Sequence, residues 1–124
     1  MNREILFRGK RIDTGEWVEG SYTDYPGSME CPAIQTYYDD YAVDVKTVGQ
    51  YTGLKDKTGK RIFEGDIVLK RTYNGKRAFP VTYDSGMFHA GYGGGSSTAT
   101  HGYTLDDRRI EIIGNVHDNP ELLH

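Results

Sequence analysis

The segment QYTGLKDKTGKRIFEGDIV, residues 50–68, constrains the fold more tightly than any other part of the chain. A strand-like run ends at Gly53, and KDKTGK follows as a turn whose Gly59 suits the left-handed conformation. RIFEGDIV then leaves through Gly65 into an apolar strand. The segment therefore specifies strand, turn, strand, and the rest of the chain must supply strands to pair with it.

Further runs of that kind are present. ILFRG (5–9) and EWVEGSY (16–22) alternate in the manner of strands, with DTG at 13–15 as the turn between them. AIQTYY (33–38) and YAVDV (41–45), separated by Asp39 and Asp40, predict a second hairpin, and VGQYTG a short strand after it. DIVLKRTY, KRAFPVTY and RRIEIIGNV are three more β-rich runs, the first two joined at Asn74-Gly75, the strongest hairpin signal here. Pro80 has no N–H for a ladder, which predicts an edge strand or a bulge at that point. DNPELL predicts a helical turn with Asn119 as N-cap and Pro120 at its first position. TGEWVEG (14–20) and TGKRIFEG (58–65) echo each other, and GYGGGSSTAT (91–100) has the composition of a flexible loop.

Sixteen glycines and ten tyrosines in 124 residues, with 36% hydrophobic residues, suit β-structure with many turns in one chain-length domain. Trp17, Phe63, Ile67, Val68, Phe79, Val81, Phe88, Ile110, Ile112 and Ile113 are the expected core. Cys31 is the single cysteine, so no internal disulfide is expected and a reducing cytoplasm is the natural setting. No apolar run approaches the roughly eighteen residues of a membrane span, and none is expected at a membrane.

The net charge of −3 conceals blocks: about +3 over residues 1–12, −8 over 13–45, +6 over 46–77 and −4 over the remainder. Opposite blocks could face one another, or the basic block could serve nucleic acid, or the acidic block a basic partner.

Catalytic signatures fail on inspection. Asp13-Thr14-Gly15 and Asp84-Ser85-Gly86 match the tripeptide of aspartic proteases, but Asp13 follows the charged RGKRI and the chain is short for two lobes. GLKDKTGKR from Gly53 has five residues between its glycines and Arg61 after Lys60, neither of which a phosphate loop has. His89, His101, His117 and His124 lack the short ligand spacing of a zinc site, and Cys31 has no indicated base. No catalytic residue, metal or cofactor is expected.

Two binding surfaces remain. Tyr22, Tyr37, Tyr38, Asp39, Asp40 and Tyr41 crowd the acidic block and suit a protein partner or self-association. Lys55, Lys57, Lys60, Arg61, Lys70, Arg71, Lys76 and Arg77 suit nucleic acid, if they share a face.

The N-terminal ILFRGKR…GEWVEG, the central YTGLKDKTGKRIFEGDIV and the ending IEIIGNVHDNPELL together resemble the YopX-like family of small bacteriophage and prophage proteins. That resemblance implies a phage or prophage origin and a mainly β fold, and carries no activity. By analogy with small barrels, in which a Gly-Asp-x-Val entry opens the first strand and its Asp caps the preceding turn, EGDIVLK, FPVTYD, GMFHA and IEIIGNV resemble SH3-like strands. The expectation is an all-β chain: an N-terminal β-hairpin layer over 1–61, an SH3-like small barrel in 62–124, and a short C-terminal helical turn. The expected function is non-enzymatic, a protein-binding or self-assembling homo-oligomer with a host or phage protein partner, or alternatively a nucleic-acid-binding barrel.

Overall fold

Nine strands and one 3₁₀ turn, with no α-helix, make up the described residues of a computed structural model, which are 5–24, 32–72, 75–84, 87–91 and 110–123. In chain order they are β1 (Phe7–Arg11), β2 (Trp17–Asp24), β3 (Pro32–Gln35), β4 (Asp40–Lys55), β5 (Arg61–Phe63), β6 (Asp66–Thr72), β7 (Gly75–Asp84), β8 (Met87–Ala90), β9 (Glu111–Asn115) and the turn Pro120–Leu123. Two antiparallel sheets result, ordered β1-β2-β3-β4-β5 and β8-β7-β6-β9. The chain divides into two units, 1–51 and 52–124, with β4 running through the boundary. Of the expected loop at 91–100, residues 92–100 lie outside the described residues.

In the first unit, β1 and β2 form the expected hairpin. Arg11 N donates to Glu16 O at 2.8 Å, and Gly15 takes a φ of 76°. The hairpins do not lie as an open layer, however: β1 pairs with β4 as well as β2, and β3 pairs with β2 and β4, so the four strands close on one another. Closure leaves none of the four with an unpaired edge along its whole length. Ala33, Ile34 and Val43 are buried within it. VGQYTG is not a separate strand, because YAVDV and VGQYTG belong to one sixteen-residue β4. The predicted strand AIQTYY also stops early, at Gln35, and Thr36 to Asp39 make the turn.

In the second unit, Ile62, Val68, Val81, Ala90 and Ile110 form the core, with Phe79, Phe88 and Ile112 packed against it. Full burial of each large apolar side chain contributes about 2 kcal/mol. Phe63 and Ile67 are buried as expected. Ile113 is not, at 36% exposed. The β6–β9 register steps from Ile67↔Gly114 to Val68↔Ile112, which leaves Ile113 as the extra residue of a bulge and turns it outward.

Pro80 lies on an inner strand rather than an edge, since β7 sits between β8 and β6. It is tolerated because β8 ends at Ala90. Gly91 N donates to Pro80 O at 2.7 Å, and the return bond that a proline nitrogen cannot give is replaced by Thr82 Oγ1, which donates to Gly91 O at 2.5 Å. The C-terminal turn forms where predicted, but Asn119 does not cap it with its side chain. Its Oδ1 instead accepts from Asn115 N at 3.3 Å, while Asn115 Oδ1 accepts from His117 N and Asp118 N at 3.0 and 2.9 Å. Gly114 makes room, since a Cβ there would lie 2.7 Å from Asn119 Oδ1.

Candidate binding surfaces

The central segment is an architectural hub. Asp56 is 6% exposed; its Oδ1 accepts from Thr58 N, Thr58 Oγ1 and Lys60 N at 2.9, 2.7 and 3.0 Å, and its Oδ2 from Ile112 N at 3.0 Å. Burial pushes this carboxyl up, and the bonds from Ile112, Thr58 and Lys60 overcome it and hold it below the usual carboxylate range. Asp66, 2% exposed, caps the next turn by accepting from Phe63 N at 2.7 Å. These bonds close turns and fix strands.

The aspartic-protease tripeptide at Asp13 is likewise structural. Asp13 is exposed and takes both Nε and Nη2 of Arg11, at 3.0 and 2.8 Å; that bond holds its carboxyl below the usual range. The Asp84 side chain, and residues 85 and 86, lie outside the described residues. Among the described residues no three His, Cys, Asp or Glu side chains gather as metal ligands. His101, His124 and Cys31 also fall outside them.

The structure separates the six acidic-block residues into two groups. Tyr22 and Tyr41 are half-buried on the strands: Tyr22 rests 5.8 Å from the Phe7 ring, and the Arg11 guanidinium lies 4.3 Å above Tyr41. Tyr37, Tyr38 and Asp39 form the β3–β4 turn and Asp40 opens β4. The tyrosines are 94% and 89% exposed, ring centroids 5.1 Å apart in an edge-to-face arrangement. Thr36 builds that tip. Its N–H and its hydroxyl both donate to Asp39 O at 2.8 Å, and its Oγ1 accepts from Tyr38 N and Asp39 N at 3.3 and 3.1 Å. The sequence reading omitted Thr36, although Thr three residues before an Asp is itself a turn signal.

The basic residues do not share one face. Lys70 pairs with Arg77 and Arg71 with Lys76 in consecutive rows of β6 and β7, so the two pairs project from opposite sides of the sheet. Lys70 is 9% exposed, on the side of Val68, whereas Arg71, Lys76 and Arg77 are exposed. Lys55, Lys57, Lys60 and Arg61 lie exposed around the turn between β4 and β5, and Lys57 Nζ meets Glu111 Oε1 at 3.3 Å. The ion pairs Arg11–Asp13, Arg11–Glu16 and Lys57–Glu111 each join oppositely charged blocks. In the first unit, Lys10, Arg11, Ile12, Pro32 and Val43 to Val45 line an open groove of about 490 Å³. Ile12 and Val45 are 59% and 57% exposed there, and with Pro32 they give the groove its apolar surface.

A family model described as YopX protein matches residues 6–124. Among solved structures, protein EF1440 from Enterococcus faecalis is similar at 23% identity, over 99% of this chain and 100% of that one, with a TM-score of 0.62, which shows a shared fold. No curated protein matches the chain.

Proposed function

We propose, from the premise that the chain belongs to the YopX protein family, that it is a non-enzymatic binding module whose β3–β4 tip anchors a basic protein partner. The observation that carries this reading is a pair of adjacent tyrosines, 94% and 89% exposed, on a turn that Thr36 ties at both ends. An aromatic pair already fixed in water loses little freedom on docking and offers large apolar area, the behaviour of interface anchors. Asp39 and Asp40 beside it favour a cationic partner and faster encounter.

The remaining expectations belong to the same proposal. The protein is a phage or prophage accessory protein acting in the bacterial cytoplasm as a homo-oligomer, without metal, cofactor or turnover. Self-association is favoured by β8, the outer strand of its sheet, which has no further strand beside it among the described residues. An SH3-like barrel over 62–117 is favoured by the meander β6-β7-β8 with β9 returning beside β6 around one apolar core. Nucleic acid is the rival ligand, and the opposite projection of the two β6–β7 cation pairs weighs against a continuous basic stripe.

Affinity capture with the wild type and with Tyr37→Ser/Tyr38→Ser tests the proposal. A host or phage protein held by the wild type and released by the variant supports it. Duplex DNA binding whose log affinity falls with log salt by about 0.9 per phosphate contact, unchanged in the variant, would favour the rival.

A further inference from the structure

We propose that the cavity beside the distal end of the β6–β7 hairpin is a binding site for a single dianionic phosphate group. The site lies wholly within the unit 52–124 and shares no residue with the tyrosine tip, so it stands or falls independently of the protein-docking function. It is a cavity of about 190 Å³ lined by Lys57, Leu69, Arg71, Lys76 and Glu111.

The register supplies the first reason. Arg71 and Lys76 are direct cross-strand partners, and like charges placed opposite each other destabilise a sheet. The neighbouring like-charged row, Lys70↔Arg77, projects from the other face, where the Arg77 guanidinium lies 5.7 Å over the Phe79 ring. Arg71 and Lys76 have no carboxylate partner among the described residues. An anion between them converts their repulsion into attraction.

The charge balance supplies the second. Glu111 stands opposite Leu69 on β9, and its Oε1 is 3.3 Å from Lys57 Nζ, so one carboxylate is matched to one of three cations. The lining keeps an excess of two positive charges, which suits a dianion. The guanidinium of Arg71 can hold two phosphate oxygens at once, and the Lys76 ammonium supplies a point charge from the facing strand.

Size and rigidity supply the third. Small-molecule pockets begin near roughly 300 Å³, so this cavity takes a phosphate group and leaves the rest of its carrier outside. The Lys57 backbone is fixed beside β9 through Lys57 N donating to Ile110 O at 2.9 Å, next to the Asp56 to Ile112 bond. The site is thus built from three strands and one tied turn.

The carrier is a free phosphomonoester or the terminal 5′-phosphate of a nucleic acid, and a two-armed titration separates them. The full chain is titrated with inorganic phosphate against chloride at matched ionic strength, and separately with short 5′-phosphorylated oligonucleotides, following amide shifts and melting temperature. Phosphate is expected to move the Arg71 and Lys76 signals and raise the melting temperature, and Arg71→Gln or Lys76→Gln to abolish both responses. The same substitutions are expected to raise the melting temperature in phosphate-free buffer, which a purely structural role would not do, and Glu111→Gln to tighten binding severalfold. A response to oligonucleotide alone that Arg71→Gln removes assigns the phosphate to a polymer; a response to free phosphate alone assigns it to a small ester. Equal responses to phosphate and chloride, responses that survive Arg71→Gln, or silence in both arms would overturn the site.

Discussion

Asp56 and Ile112, fifty-six residues apart, are joined by a 3.0 Å bond from the Ile112 N–H to Asp56 Oδ2. The other oxygen of the same carboxylate closes the Lys57–Lys60 turn. One side chain therefore couples the local geometry of the central segment to the placement of the last strand. Asp56→Ala leaves the N–H groups of Thr58, Lys60 and the half-buried Ile112 without their acceptor and is expected to cost about 3 kcal/mol, since a buried group so orphaned costs about 1–3 kcal/mol and the partly exposed ones less. Urea unfolding of the wild type and variant measures it; a loss under about 1 kcal/mol would show that water replaces the carboxylate.

The same residue sets a pH dependence. Its folded pKa is depressed, so its contribution is complete above the unfolded carboxyl value of about 3.9 and is lost as pH falls through the lower folded value. The stability difference between wild type and Asp56→Asn is expected to be constant from about pH 7 to 5 and to shrink toward about pH 2. A difference that grows on acidification would contradict this account.

Gly20 is required for space rather than for an unusual φ. A Cβ at Gly20 would lie 2.1 Å from Gln35 O, on the backbone of the neighbouring strand, which cannot yield as a flexible side chain can. Gly20→Ala is expected to destabilise by more than about 2 kcal/mol. Gly15→Ala, with nothing within 4 Å, should show only the milder strain of its φ of 76°. Similar melting temperatures for the two variants would count against the distinction.

Thr82 and Pro80 form a compensating pair. Thr82→Val removes the hydroxyl that donates to Gly91 O and is expected to cost about 1 kcal/mol. Adding Pro80→Ala supplies a backbone N–H on the same side and should recover part of that loss. A double-mutant cycle with no coupling would show that the hydroxyl does not stand in for the missing donor.

Tyr37→Ser/Tyr38→Ser should leave stability within about 0.5 kcal/mol, because both rings are in water already. If the tip serves self-association as well as partner binding, light scattering should show a smaller species for this variant at micromolar concentration. A large loss of stability would instead place the rings in a structural role.

What the sequence by itself determined was local. The turns at Asp13–Gly15 and Asp56–Gly59, the Asp66 cap and the C-terminal turn all form, because short polar side chains and glycine fix φ and ψ within a few residues; β6 and β7 pair as the Asn74-Gly75 signal predicts, although Gly75 itself stands opposite Thr72 as the first residue of β7. Tertiary structure decided what depends on partners far along the chain. The closing pair β1–β4, the bulge that turns Ile113 outward and the tolerance of Pro80 on an inner strand each depend on the register of a strand that the local sequence does not name. The binding surfaces divide the same way. Tyr37 and Tyr38 could be found as an aromatic cluster, but their placement at a tip follows from Thr36 ending β3. Arg71, Lys76 and Glu111 meet only because β6 pairs with both β7 and β9: alternation along a strand sends neighbouring residues to opposite faces, and pairing then brings distant ones together.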